Sequence, residues 1–294
     1  MEWELRAGCK VNLYLDIVGV REDGYHEIES LFYPLPAPCD VLRLEEGGEG
    51  LRLSCSDPVL ATPENILVRA YQKYASLTGF APGLRLFLEK KIPMGAGLGG
   101  GSSDAASLLL WLNARAQSRG LAPEALSELA LTLGADVPFF LQNRPAWVTG
   151  IGENLHFLDL DLGDLAVLLV CPALQVNTKW AYRRWDEMSA QGCLPRRKGL
   201  TLQDGLIMKF CSSKQPALWN AFEHLVFKEF PIVSGIKQEI LDHAAAGCVM
   251  SGSGSTMVGL FASAEDAACC ARRMRTQGHV CHGIRSGQPF DLGV

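Results

Sequence analysis

Five glycines fall within residues 95–101, and Ser102, Ser103 and an apolar, helix-forming run follow directly. Upstream, Leu84, Leu86 and Leu88 alternate with Arg85, Phe87 and Glu89, the two-residue period of a strand. Downstream, Ala105, Ala106, Leu108, Leu109 and Leu112 fit one broad face of a helix, with Ser102 or Ser103 at its N-cap and Asp104 in its first turn. That order gathers unpaired backbone N–H groups and the positive end of a helix dipole at one place, which suits a phosphate. Glycine turns also serve tight packing with no ligand. The length of this run, its serines and the helix behind it favour anion binding.

The common phosphate folds fit poorly. No Gly-Lys-Ser or Gly-Lys-Thr occurs, so a P-loop is excluded. Residues 95–100 match GxGxxG after a strand, but a dinucleotide fold wants an acid about 20 positions on to hold the ribose. Residues 117–122 read Gln-Ser-Arg-Gly-Leu-Ala instead. The His-Arg-Asp and Asp-Phe-Gly strings of protein kinases are absent.

Three further places carry residues able to do chemistry. Asp136 stands between a helix C-terminus at Gly134 and the apolar run 137–141; such an acid either caps a helix or serves as a desolvated general base. Lys10 and Asn12 share one face of a strand whose apolar residues are Val11, Leu13, Leu15 and Ile17. On that pattern alone the lysine reads as solvated. Tyr25 and His26 follow an Asp23-Gly24 turn, which predicts a hairpin with aromatic rings beside it.

These residues must be held by a large framework. The 294 residues are 48% hydrophobic, enough for one large or two medium domains. A net charge of −5 argues against nucleic-acid and anionic-membrane binding, so an anionic substrate must be met by a few local cations. No run of 18 apolar residues exists and the start is not a basic signal region, which predicts a soluble, cytoplasmic protein. The ten cysteines show no CxxC and no paired histidine spacing, so they read as reduced, mostly buried thiols rather than metal ligands.

Along the chain, residues 39–58 read as strands around an acidic turn at 45–49. Thr62 reads as the N-cap of a helix reaching Gly79, with Pro63 at N1 and Asn65 at N3. Pro123 opens a helix closed by Gly134, and the turn cluster 149–153 predicts a boundary that divides the chain into 1–153 and 154–294. A buried strand at 165–170 is predicted to continue through 176–182, followed by a surface loop over 188–200 and helices near 216–229 and 232–245. Apolar strands flank a second Gly/Ser turn at 251–256, Ser263 caps a helix, and a strand near 279–284 closes the chain. No internal repeat is present.

The order of Lys10-Val-Asn-Leu, the 93–106 segment and Ser251-Gly-Ser-Gly-Ser-Thr resembles the GHMP small-molecule kinase superfamily. Matching stretches also include 21–26 (Arg-Glu-Asp-Gly-Tyr-His), 134–140 (Gly-Ala-Asp-Val-Pro-Phe-Phe), 150–153, Asn177-Thr178 with Tyr182, and 250–259, so the resemblance spans the chain. It implies an α/β (α+β) two-domain fold, with an N-terminal half like ribosomal protein S5 domain 2, a ferredoxin-like C-terminal half and an active site in the cleft between them. Within the superfamily the Asp-Gly-Tyr-His and Gly-Ala-Asp-Val-Pro-Phe-Phe strings resemble the branch acting on a methylerythritol that carries a cytidine diphosphate. ATP-dependent phosphorylation of its 2-hydroxyl, on the non-mevalonate route to isoprenoid precursors, is the implied activity.

The resemblance also implies roles. Asp136 would be the catalytic base, and Lys10 would hold it ionised and stabilise the transferring phosphoryl. Pro93, Gly95, Gly97, Leu98, Gly99, Gly100, Gly101, Ser102 and Ser103 would bind ATP, with Asn65 and Lys91 near its adenine and Ser103 as a ligand of Mg²⁺. Tyr25 and Tyr182 would sandwich the cytosine and His26 read its edge, with Asn12, Thr178, Gly252 and Ser253 near the rest of the substrate. A monomer or weak homodimer is expected. Cys9 stands where the family usually has alanine, and Asp104 where some members have asparagine; Asp104 could help hold Mg²⁺ but is expected to serve the helix dipole. A sister kinase lacking base-stacking aromatics, a catalytically dead nucleotide-binding regulator and a dinucleotide oxidoreductase are the competing readings.

Overall fold

A computed structural model describes residues 1–194 and 218–292. Its strands and helices are β1 (Glu2–Val20), β2 (His26–Glu46), β3 (Leu51–Cys55), α1 (Ile66–Thr78), β4 (Leu84–Glu89), α2 (Gly100–Arg115), α3 (Pro123–Leu131) and α4 (Val137–Gln142). They continue with β5 (Ala146–Thr149), β6 (Asn154–Phe157), β7 (Ala166–Cys171), α5 (Thr178–Ala190), β8 (Trp219–Asn220), α6 (Glu223–Glu229) and α7 (Pro231–Asp242). Last come β9 (Gly247–Met250), β10 (Met257–Phe261), α8 (Ala264–Thr276), β11 (Val280–Arg285) and β12 (Gln288–Pro289). The chain forms two compact units, each built from more than one stretch of sequence. One holds Met1–Cys9, Pro38–Ile92 and Gly99–Arg144; the other holds Lys10–Ala37, Pro93–Leu98 and Pro145–Val294.

In the first unit, β4 pairs with β3 in parallel and with residues 41–46 of β2 antiparallel. Parallel partners need a crossover, and α1 supplies it between β3 and β4. The alternation at β4 is realised: Leu84, Leu86 and Leu88 are buried while Arg85 and Phe87 are exposed. Helix α2 packs against α1, α3 and α4. It buries Ala105, Ala106, Leu108, Leu109 and Leu112, which is the broad face that the sequence predicts. The N-cap of α1 is Asn65 rather than Thr62, because the Asn65 side chain accepts from Leu67 N–H while Thr62 closes a preceding turn. Gly79 ends that helix in the left-handed region.

The second unit contains a five-stranded sheet in the order β12-β11-β7-β10-β9, with every neighbouring pair antiparallel. Setting β12 aside, the chain order β7–helices–β9–β10–α8–β11 and the sheet order 4-1-3-2 make a βαββαβ ferredoxin-like arrangement. Helices α7 and α8 cover this sheet. Their inner residues Ile236, Ile240, Ala267, Cys270, Ala271 and Met274 join Ala166, Leu168 and Val170 of β7 in one apolar cluster. Residues 30–32 of β2 pair with β5, and β8 lies parallel to β1 at Tyr14 and Leu15.

Two predicted elements change. Residues 178–182 are the start of helix α5, not a continuing strand, because Asn177 caps the helix by accepting from Trp180 N–H at 3.1 Å. Ala181, Trp185 and Met188 then lie inward at helical spacing. The loop predicted over 188–200 therefore begins after Ala190, and its part beyond residue 194 lies outside the described residues. Likewise 216–217 lie outside them, and β8 occupies 219–220 ahead of α6. Six of the nine described cysteines are buried. Burial pushes the thiols of Cys270 and Cys281 up to about 12, the raised value expected of inert thiols in apolar surroundings.

Candidate active site

Three segments far apart in sequence meet inside the second unit through their backbones. Lys10 N–H donates to Leu98 O at 2.9 Å, and Thr256 N–H to Ala96 O at 3.3 Å. Ser251 Oγ donates to Gly97 O at 2.8 Å and accepts from Asn12 N–H at 3.1 Å. Gly97 has φ +76°, and a Cβ there would overlap the Ser251 carbonyl oxygen, so only glycine permits this approach. Asn220 braces the same turn by donating to Met250 O at 2.6 Å and Gly252 O at 2.7 Å. Thr178 Oγ1 and Ser253 Oγ lie 2.8 Å apart.

Lys10 is not a solvated strand-end lysine. It is 4% exposed, donates from Nζ to Asn12 Oδ1 at 2.7 Å, and stands 4.3 Å over the Phe32 ring. Asn12 in turn donates from Nδ2 to Ser30 Oγ at 2.9 Å, and Ser30 donates to Tyr14 O. This relay fixes the orientation of the Asn12 amide, and that orientation presents its oxygen to the ammonium.

The Asp23-Gly24 turn forms as predicted, with Gly24 at φ +83° and Arg21 N–H donating to Tyr25 O at 2.7 Å. It leaves Tyr25 exposed. His26 is instead enclosed: its ring lies 4.6 Å from the Tyr182 ring at a 32° tilt and 5.6 Å edge-on to Trp185. Its Nε2 is 2.7 Å from Asp186 Oδ1. Tyr182 packs edge-on against Phe222, 5.0 Å between centroids. Trp185 and Asp186 escaped sequence reasoning because residues 176–182 read as a strand. On a helix, Tyr182, Trp185 and Asp186 share one face.

In the first unit, α2 begins at Gly100, and Gly99, at φ +72°, caps it with no side-chain hydrogen bond. Ser102 and Ser103 are therefore within the first turns rather than at the cap. The start of α1 adjoins this point, since a Cβ on Gly101 would stand 4.0 Å from Ile66 Cγ2. Asn65 uses its side chain as the α1 cap and donates to Leu60 O at 2.8 Å, while Lys91 Nζ is 2.9 Å from Glu89 Oε1. Asp136 occupies the N-cap position of α4 without a side-chain capping bond, half-buried.

Asp104 lies beyond the first turn of α2. It is 2% exposed and takes Lys90 Nζ at 3.0 Å on Oδ2, while Lys90 also donates to Asp40. Asp40 Oδ1 accepts the N–H groups of Lys91, at 2.6 Å, and Ile92, at 2.9 Å. Burial raises the Asp104 carboxyl to about 7 against the pull of Lys90, and the Asp40 carboxylate beside it adds to the rise. Burial pulls Lys90 down, but the two carboxylates outweigh it and its net shift is upward. This cluster was missed because Lys90 reads as one of two adjacent surface lysines; only the pairing of β4 with β2 turns it inward toward Asp40.

The family model of the GHMP kinase N-terminal domain matches residues 65–144, and that of the GHMP kinase C-terminal domain matches 206–280. The chain belongs to the GHMP kinase family. This GHMP kinase is 46% identical over 269 residues to a Solidesulfovibrio magneticus protein named 4-diphosphocytidyl-2-C-methyl-D-erythritol kinase, the match covering 90% of each chain. It is 40% identical to the protein of the same name from Nitratidesulfovibrio vulgaris, over 96% of each chain. A crystal structure of 4-(cytidine 5'-diphospho)-2C-methyl-D-erythritol kinase superposes with a TM-score of 0.81 at 34% identity, covering 97% of this chain and 100% of that one. A homoserine kinase from Cytophaga hutchinsonii shares the fold at TM-score 0.67 and 19% identity. No described helix of this GHMP kinase is long and apolar enough to cross a membrane.

Proposed function

We propose that this chain transfers the γ-phosphoryl group of ATP to the 2-hydroxyl of 4-diphosphocytidyl-2-C-methyl-D-erythritol, giving the 2-phosphate and ADP. The observation that carries this reading is near-full-length similarity, at 46% identity, to a kinase named for that substrate. The reaction belongs to the methylerythritol phosphate route to isoprenoid precursors and takes place in the cytoplasm.

The start of α2 fits the triphosphate. Gly99 caps it without a side chain, and its neighbours Gly100 and Gly101 also lack a Cβ, so backbone N–H groups can meet phosphate oxygens directly. Pro93, Gly95, Gly97 and Leu98 form the remainder of that loop, with Ser102 and Ser103 supplying hydroxyls. Asn65 and Lys91 flank the adenine end. Asp104 is held by Lys90, which leaves the Ser103 hydroxyl as the ligand this segment offers to Mg²⁺; one neutral oxygen suits an ion held mainly by phosphates and water. When bound, Mg²⁺ offsets phosphate charge.

Phosphoryl transfer needs positioning and charge neutralisation more than covalent chemistry. Asp136 takes the proton as the substrate oxygen bonds to phosphorus and the bond to ADP breaks. Lys10, oriented by Asn12, supplies positive charge for the phosphoryl group. Tyr25 and Tyr182 hold the cytosine and His26 reads its edge, while Thr178, Gly252 and Ser253 contact the substrate.

ADP release is measured with ATP and Mg²⁺ on the cytidyl substrate, mevalonate and homoserine. Turnover on the cytidyl substrate alone is expected. Turnover on either other alcohol would make this a sister kinase, and silence on all three with ATP bound would make it a nucleotide-binding regulator.

A further inference from the structure

The contact between His26 and Asp186 bears on which base the protein accepts. A carboxylate can only accept a hydrogen bond, so the 2.7 Å contact to Asp186 Oδ1 places a proton on His26 Nε2. In the neutral imidazole the other nitrogen, Nδ1, then carries a lone pair. No described residue hydrogen-bonds to Nδ1. The ring cannot easily turn: Tyr182 covers one face, Trp185 meets it edge-on, and the His26 side chain is only 9% exposed. In that neutral form His26 offers Nδ1 as an acceptor, with its tautomer set from α5, 160 residues further along the chain.

We propose that Asp186 is a positioning residue that makes the base subsite selective for cytosine over uracil. The inference rests on the reading that His26 meets the edge of the base. An acceptor facing the 4-position pairs with the amino group of cytosine and opposes the carbonyl oxygen of uracil. A site holding a buried acceptor rejects the analogue that cannot donate to it, because the polar groups are left unpaired. Asp186 itself is 49% exposed and supports no core packing, so its removal acts through the imidazole.

The test compares kcat/KM for the cytidine and uridine diphosphate forms of the methylerythritol substrate in wild type, Asp186→Ala, Asp186→Asn and Asp186→Glu. The cytidine preference is expected to fall at least about 10-fold in the alanine and asparagine variants, through KM for the cytidyl substrate, with KM for ATP within about 2-fold. Glutamate is expected to restore part of the preference. Nitrogen NMR shifts of the His26 ring in wild type are expected to show the proton on Nε2, and in Asp186→Ala a mixture of tautomers. An unchanged preference in both variants, or a wild-type proton on Nδ1, would overturn the proposal. Failure of wild type to phosphorylate the cytidyl substrate would instead overturn the functional reading beneath it.

Discussion

Asp104→Asn removes the one charge in the Asp40–Lys90–Asp104 cluster whose protonation differs most between the folded and unfolded chain. Its carboxyl lies near 3.8 when unfolded and about 7 when folded. Between those values the folded protein holds a proton that the unfolded chain has released. The folded state therefore binds more protons, and stability falls as pH rises. The contribution is fully present below about pH 4 and lost by the time pH passes 7. At about 1.4 kcal/mol for each pH unit, the loss is on the order of 4 kcal/mol across the window and about 3 kcal/mol between pH 5 and 8. Asparagine keeps the shape and can still accept from Lys90, but it carries no proton to lose. Its amide lands where Asp104 Oδ1, buried and without a hydrogen-bond partner, now sits, and adds a pH-independent cost of about 1–3 kcal/mol.

Urea unfolding at intervals from pH 5 to 8.5 separates the two effects. The difference in stability, wild type minus variant, is expected to favour wild type at pH 5 and to fall steadily to pH 7, reaching a plateau above it. A difference that stays constant across the range would show that Asp104 keeps an ordinary carboxylate pKa, and the argument from burial would be wrong.

Two further outcomes follow from single atoms of the site. Asp136→Ala is expected to lower kcat by at least about 10²-fold while ATP still binds, and turnover like wild type would remove Asp136 from the proton transfer. Gly97→Ala places a methyl group onto the Ser251 carbonyl oxygen at a positive φ. It is expected to cost more than about 2 kcal/mol in urea unfolding, and unchanged stability would mean that the two loops do not approach as described.

The strand–glycine–helix order at 84–112 could be read from sequence because each part has its own local signal: a two-residue alternation, a glycine run and a broad apolar face. The Asp23-Gly24 hairpin and the Ser263 cap were legible for the same reason. What escaped depends on partners distant in sequence. Lys90 looks like a surface residue until β4 pairs with β2 and brings Asp40 beside it. Lys10 reads as solvated until Asn12, Ser30 and Phe32 enclose it. Residues 176–182 misled more directly. Val176, Trp180 and Tyr182 are strong strand formers, whereas the helix is set by one capping bond from Trp180 N–H to Asn177. That error hid Trp185 and Asp186.

The glycine segment divides into two parts with different surroundings. Residues 95–98 lie in the second unit and meet Lys10, Val176 and the 251–256 turn mainly through backbone groups, so Gly97 is demanded by the close approach of two segments. Residues 99–101 lie in the first unit, where Gly99 starts α2 and no side chain caps it. This latter part is the first turn of a helix, where N–H groups have no intrahelical acceptor and lie at the positive end of the dipole. A substitution in the first part should therefore register as lost stability, and one in the second as weakened ATP binding. The glycine count alone would assign both to the nucleotide.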